Sequence, residues 1–193
     1  LYTDAKGNKL IHTILQYLNE NLSTSTLTLK KIAEINYVNP SYLSRIFKEV
    51  TQMNFVDYLA SLRIEKAKRL LQTGNLRIYE IAESVGISDP NYFSKLFKKY
   101  TGISFVKYLA YVRIRASLED LLEGKDSIEQ IAAACGMPNS KSYTAAFREL
   151  YGIVPSDYRK KFTHNIKMNE DHKEQSMTLD NEQKELLEHL VTD

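Results

Sequence analysis

The chain repeats itself with a step of 50 residues. Phe47, Phe97 and Phe147 lie 50 apart (97 − 47 and 147 − 97), and Tyr58, Tyr108 and Tyr158 keep the same interval. Three segments run in register around them: INYVNPSYLSRIFKEV from Ile35, VGISDPNYFSKLFKKY from Val85 and CGMPNSKSYTAAFREL from Cys135. Self-similarity at such a period makes each copy one structural unit, so the fold must be assembled from three related pieces. One detail separates them. From the alanine of the first helix to the apolar residue of the second, the count is ten in the first copy (Ala33 to Leu43) and eleven in the others (Ala82 to Phe93, Ala132 to Tyr143).

The middle copy shows what kind of unit recurs. Its turn holds Gly86, which tolerates left-handed backbone, then Ser88 and Asp89 as candidate N-caps and Pro90 at a first-turn position. From Pro90 to Tyr100, the i, i+3, i+4, i+7 spacing puts Phe93, Leu96, Phe97 and Tyr100 on one side. Asn91, Ser94, Lys95 and Lys98 fall outside that stripe. A short helix, a glycine turn and a second helix with an apolar inner face and a basic outer face form a helix-turn-helix pattern. In the first copy Thr28 to Ile35 is the positioning helix, and Asn39-Pro40 caps the next. Leu43, Ile46, Phe47 and Val50 point inward there, while Ser41, Tyr42, Ser44, Arg45 and Lys48 point outward. In the third copy, which runs from Ser127 to Phe162, Tyr143, Ala146 and Phe147 form the inner face.

Longer helices fill the intervals. Leu10 to Asn21 is amphipathic, with Leu10, Ile14, Leu15 and Leu18 on the face that covers the first copy. Val56 to Thr73 predicts a linker helix spanning ~27 Å at 1.5 Å per residue, ending at Gly74-Asn75. Successive faces of the DNA major groove lie ~34 Å apart, so such a strut suits two recognition helices one turn apart. Val106 to Glu123 predicts a second linker helix, ending at Gly124. The expected fold is all-α: three tandem helix-turn-helix units, with second helices at about 40–50, 90–100 and 138–150, joined by long linker helices. The expected domains are 1–75, 76–125, 126–162 and an acidic tail, 163–193. In that tail Leu179 to Val191 is expected as a short amphipathic helix, packed on the body or on another chain or else frayed, behind a flexible linker.

Charge divides along the same lines. Residues 1–162 hold 23 Lys and Arg against 16 Asp and Glu, a balance of +7, whereas residues 163–193 hold 3 against 8, or −5. A basic body with an acidic appendage is the asymmetry of a nucleic-acid binder. Other classes find little support. His12, His164, His172 and His189 lack metal-ligand spacing, so no metal or cofactor is expected. No phosphate-binding glycine loop or nucleophile elbow is present, so the chain is not expected to be an enzyme. Cys135, the single cysteine, excludes an internal disulfide and reads as a small buried hydrophobe aligned with Ile35 and Val85. No apolar run approaches the ~20 residues of a membrane helix. A reducing cytoplasm fits, and the opening on Leu1 suggests a fragment of something longer.

These motifs resemble the DNA-binding domain of AraC/XylS-family transcriptional regulators. The tail signature of that family, a glycine followed by Pro-x-x-Tyr-Arg, stands here as Gly152, Pro155, Tyr158 and Arg159. Its linker-helix pattern stands as Tyr58-Leu59, Arg63-Ile64 and Leu70-Leu71, and again as Tyr108-Leu109, Arg113-Ile114 and Leu121-Leu122. The likeness covers roughly residues 11–162, with one departure: the family has two units and this chain has three. The resemblance implies double-stranded DNA as partner. It also implies base-reading positions at Ser41, Ser44 and Arg45, at Asn91, Ser94 and Lys95, and at Lys141 and Thr144 with Ala145. Lys48, Lys98, Lys99 and Arg148, further along each helix, are assigned to phosphate. Arg and Lys address guanine and Asn addresses adenine, whereas Ala145 donates no hydrogen bond, so the third unit is expected to read less. A cytoplasmic place with the bacterial nucleoid follows. The alternative reading makes one unit, the third above all, together with the tail a protein-interaction module. Its partner would be RNA polymerase or a second copy of the chain, as a homodimer.

Overall fold

The computed structural model describes residues 5–73 and 77–169, and among them there are eleven α-helices and no strand. The chain divides into two compact units, residues 1–100 and 101–193. That boundary falls at the end of the second recognition helix.

In the first unit, α1 (Ala5–Glu20) buries Ile11, Ile14 and Leu18 against the first helix-turn-helix. Ile11, rather than Leu10 or Leu15, sits at the centre of its apolar face; the latter two pack at the margin. The positioning helix α2 (Leu29–Ile35) is capped by Thr28, whose hydroxyl accepts the Lys31 amide. The recognition helix α3 (Pro40–Thr51) buries Leu43, Ile46 and Phe47. Val50, expected inward, is 36% exposed, at the last turn of the helix. The strut α4 (Phe55–Thr73) is one continuous helix of 19 residues, ~28 Å long. Its expected stop at Gly74-Asn75 lies outside the described residues. The second pair follows as α5 (Ile78–Ser84) and α6 (Pro90–Thr101), burying Ile81, Ala82, Phe93 and Phe97; Leu96 and Tyr100 are half-buried.

In the second unit the expected single strut is two helices, α7 (Phe105–Ala116) and α8 (Leu118–Glu123). The interruption is Ser117. Its amide is shared between the carbonyls of Arg113 and Ile114, both at 3.1 Å, and its hydroxyl donates to Ile114 O at 2.8 Å. A serine hydroxyl competing for an i−3 carbonyl loosens a helix. The first strut carries Ala67, the best helix former, at this place and runs on. The third pair is α9 (Ile128–Ala134) and α10 (Ser140–Tyr151), the latter starting after the N-cap Asn139 rather than at residue 138. α10 packs on α7, α9 and α11 (Pro155–Asn169). α11 continues seven residues past Phe162 (169 − 162), through the start of the segment expected to be a linker. The helix expected at Leu179 to Val191 lies outside the described residues.

The three turns share one frame. The amides of Val38, Ile87 and Met137 reach back to the carbonyls of Ala33, Ala82 and Ala132 at 3.0, 2.8 and 2.8 Å. Before each sits a left-handed residue: Tyr37 (φ 53°), Gly86 (φ 79°) and Gly136 (φ 77°). The residue missing from the first turn therefore falls after Val38, and Cys135 matches Asn36, not Ile35. At Gly86 the requirement is double, because a Cβ would also lie 2.5 Å from the Leu22 carbonyl oxygen. That carbonyl is held by Arg63, whose Nε donates to Leu22 O (3.2 Å) and whose Nη2 donates to Thr24 O (2.8 Å), tying α4 to the loop after α1. Arg159 repeats the device in the second unit, donating to Leu121 O (2.9 Å) and Asp126 O (2.7 Å).

Candidate nucleic-acid interface

Each recognition helix is fixed from two sides: a cap aims its first turn, and a row of aromatic or aliphatic anchors buries the opposite face. In α3 the Asn39 side-chain oxygen accepts the amides of Ser41 (2.8 Å) and Tyr42 (3.3 Å), with Pro40 at the first helical position. Ser41, Ser44, Arg45 and Lys48 are all exposed, across the helix from Leu43, Ile46 and Phe47. Arg45, 62% exposed, donates to Glu49 at 3.0 Å and lies over the Tyr42 ring at 5.6 Å. An exposed ion pair of this kind is worth ~0.2–1 kcal/mol, so the guanidinium is pre-aimed yet readily surrendered to a stronger acceptor.

In α6 Asp89, not Ser88, supplies the cap, accepting the Asn91 amide at 2.8 Å. Asn91, Lys95 and Lys98 are exposed. Ser94 is half-buried and donates its hydroxyl to Pro90 O at 2.8 Å, which leaves only its acceptor side to face outward. Lys99 is exposed and also paired: it donates to Asp57 at 2.8 Å, across from α6 to α4, and the Tyr100 hydroxyl reaches the same carboxylate at 3.1 Å. Hydrogen bonds from Lys99, then from Asn54 and Tyr100, hold the Asp57 carboxyl below the usual range, and Lys99 is raised in return.

In α10 the Asn139 side chain accepts the Ser142 amide at 2.8 Å. Lys141 and Arg148 are exposed and Thr144 is half-buried. Where α3 and α6 carry Arg45 and Lys95, Ala145 leaves open a surface groove of about 590 Å³. Lys141, Thr144, Arg148 and the Val154–Ser156 segment line it.

The geometry adds two residues that the repeat reading passed over. Tyr92, 48% exposed, stands where α3 has Tyr42; the 50-residue step alone would have found it. Asp57 anchors a recognition helix 42 residues later in the chain, for which no local pattern exists. Cys135 is a free, half-buried thiol donating to Ala132 O at 3.4 Å, and burial pushes its pKa up, away from nucleophilic use. Among the described residues no cluster of His, Cys, Asp and Glu could hold a metal ion, and no helix is long and apolar enough to cross a membrane.

A family model described as a helix-turn-helix domain matches twice, over residues 32–104 and 90–161. The two matches overlap on the second recognition helix. The curated relatives include the helix-turn-helix transcriptional regulator YijO of Escherichia coli, 35% identical over 46% of this chain and 31% of that protein. YobQ of Bacillus subtilis is 33% identical over 41% of this chain and 39% of its own length. This chain thus spans about a third of each of these relatives. Among solved structures, the C-terminal domain of AraT, a response regulator from Geobacillus stearothermophilus, is 41% identical. It covers 52% of this chain and 83% of its own, with a TM-score of 0.51. The DNA-binding domain of AdpA, solved with a target DNA, shares the fold at 24% identity and a TM-score of 0.52, over 54% of this chain and 94% of that one.

Proposed function

The chain belongs to the AraC-type helix-turn-helix family, and on that premise we propose that it is a sequence-specific DNA-binding regulator of transcription. The observation that carries this reading is the repeated two-faced helix. In α3, α6 and α10 a phenylalanine at the same 50-residue step is fully buried, while the opposite face offers cations to solvent. Base edges would be addressed by Ser41, Ser44 and Arg45, by Asn91, Ser94 and Lys95, and by Lys141 and Thr144. Arg45 and Lys95 would favour guanine and Asn91 adenine. Lys48, Lys98 and Arg148 would grip phosphate. Lys99, whose ammonium already holds Asp57, would orient α6 and lend its charge at a distance.

The test is binding to a selected site at several salt concentrations. Arg45→Ala should cost ~1–3 kcal/mol and relax one position of the site, whereas Arg148→Ala should weaken every sequence alike and lower the salt slope by about one. If the two variants lose affinity in the same way, the division into readers and phosphate grips is wrong.

A second reading is favoured by the groove beside Ala145. There the third unit, with residues 163–193, would receive a protein, RNA polymerase or another copy of the chain, instead of reading bases. A footprint decides: two engaged units protect about half the length that three would, and apolar association lacks the steep salt dependence of phosphate neutralisation.

A further inference from the structure

Three related units in one chain raise a matching problem. The anchors that dock a recognition helix on its strut scarcely differ between copies: Ile64 and Ile114, Leu71 and Leu121, Phe97 and Phe147 are all buried at equivalent places. Apolar packing of this kind gives affinity but little discrimination, and repeated domains characteristically misassemble or exchange partners. The two junctions nonetheless differ at two points, and each difference is of a kind that excludes the wrong partner.

The first is charge. At the α4–α6 junction Asp57 of the strut accepts from Lys99 at 2.8 Å. At the α7–α10 junction the equivalent residues, 50 further on, are Lys107 of the strut and Glu149 of the recognition helix, paired at 2.6 Å. The clasp is the same and its polarity is reversed. The second is a hydroxyl. Ser117 of the second strut and Tyr143 of α10 meet at 2.9 Å in a fully buried contact. Because the serine hydroxyl is spent on Ile114 O, the tyrosine hydroxyl is the donor between them. The first junction has Ala67 and Phe93 at these places, both completely buried and without a hydroxyl.

We propose that the two junctions are keyed, with Asp57, Lys99, Lys107, Glu149, Ser117 and Tyr143 as the residues that decide which unit docks on which strut. Crossed docking of α10 on an α4 strut, in one chain or between two, sets Glu149 beside Asp57 and buries the Tyr143 hydroxyl against Ala67. Crossed docking of α6 on α7 sets Lys99 beside Lys107. An exposed ion pair discriminates only a few-fold, whereas a buried unsatisfied hydroxyl discriminates on the order of tenfold or more. Together they select the order first, second, third from a chain whose cores alone would accept others. Overlapping family matches on the second unit make that order consequential, since the second recognition helix is the later member of one reading pair and the earlier member of the next.

The test uses the full chain, refolded from denaturant, with exchanged oligomers measured by light scattering against the unaltered chain. The doubly altered chain Asp57→Lys, Lys107→Asp puts like charges at both cognate junctions and opposite charges at both crossed ones. Its fraction of exchanged or unfolded chain should rise about fivefold at low salt, and the excess should shrink in 0.5 M salt. Adding Lys99→Asp and Glu149→Lys inverts both keys together and should return the chain to its original behaviour. Separately, Phe93→Tyr should lower the refolded yield and Ala67→Ser should rescue it. The proposal is overturned if the doubly altered chain refolds like the original, or if the fully inverted chain does no better than the doubly altered one.

Discussion

The repeat supplies two struts, one in each compact unit, and they differ. α4 is continuous across Ala67; its counterpart breaks at Ser117 into α7 and α8. At the break itself a methyl has become a hydroxymethyl, and the hydroxyl has found two partners, a carbonyl three residues back and a tyrosine on the helix it must hold. Helix continuity and inter-helix fastening therefore compete for the same atom. The first strut puts its strength into stiffness and leaves fastening to Arg63, Asp57 and apolar contact. The second gives up a helical position to gain a buried polar contact.

The comparison is most sharply tested at the glycines that face each strut. Gly86→Ala should destabilise the chain by about 2–4 kcal/mol in denaturant melts, since the added methyl meets the left-handed φ and the Leu22 carbonyl together. Gly136→Ala should cost only about 1–2 kcal/mol, because there the methyl meets the Arg113 guanidinium at 3.3 Å, a side chain able to give way. Equal losses would mean that Arg63 and the Leu22 carbonyl hold the first strut no more tightly than Arg113 holds the second.

Next in size is the hydroxyl itself. Ser117→Ala should cost about 1–2 kcal/mol by leaving the Tyr143 hydroxyl buried without a partner, and adding Tyr143→Phe should recover most of the loss. Amide exchange at residues 117–121 of the double variant should slow toward the protection of α4. If the single and double variants melt together, the break at Ser117 has another cause.

The smallest effect is the pH dependence of the clasp on the first strut. The Asp57 carboxyl is depressed by Lys99, so its contribution is present above the ordinary carboxylate value of ~3.9 and is lost as pH falls through the lower folded value. Lys99 is raised, so its share is intact below ~10.4 and fades as pH rises through the folded value. Amide signals of α6 followed by NMR should shift below pH 4, and Asp57→Asn should abolish that shift. Persistence of the shift in the variant would separate Asp57 from the fastening of α6.

Much of this molecule was legible in its sequence, for reasons visible in particular residues. The period of 50 residues located every helix-turn-helix, and the first two caps followed from Asn39 and Asp89, residues whose short side chains satisfy the first amides of a helix; the third, Asn139, emerged only with the structure. Ser117 was not legible, because serine inside an apolar helical pattern looks tolerable until a tyrosine from 26 residues further on claims it. Nor was the extension of α11 beyond Phe162, where the apolar stripe gives out while helical hydrogen bonding does not. The outward helix faces came through well; Lys99 was visible as an exposed cation, but its partner was set by tertiary approach rather than by spacing.

Cys135 closes the first helix of the third pair, one residue before the left-handed glycine, half-buried and with its thiol turned to a helix carbonyl. With one thiol in the whole chain, alkylation becomes a built-in clock for a single hinge. Reagent uptake measures how often the third turn springs open, without contribution from the first two. The chain can thus report the local opening free energy of one repeat while the others stay silent.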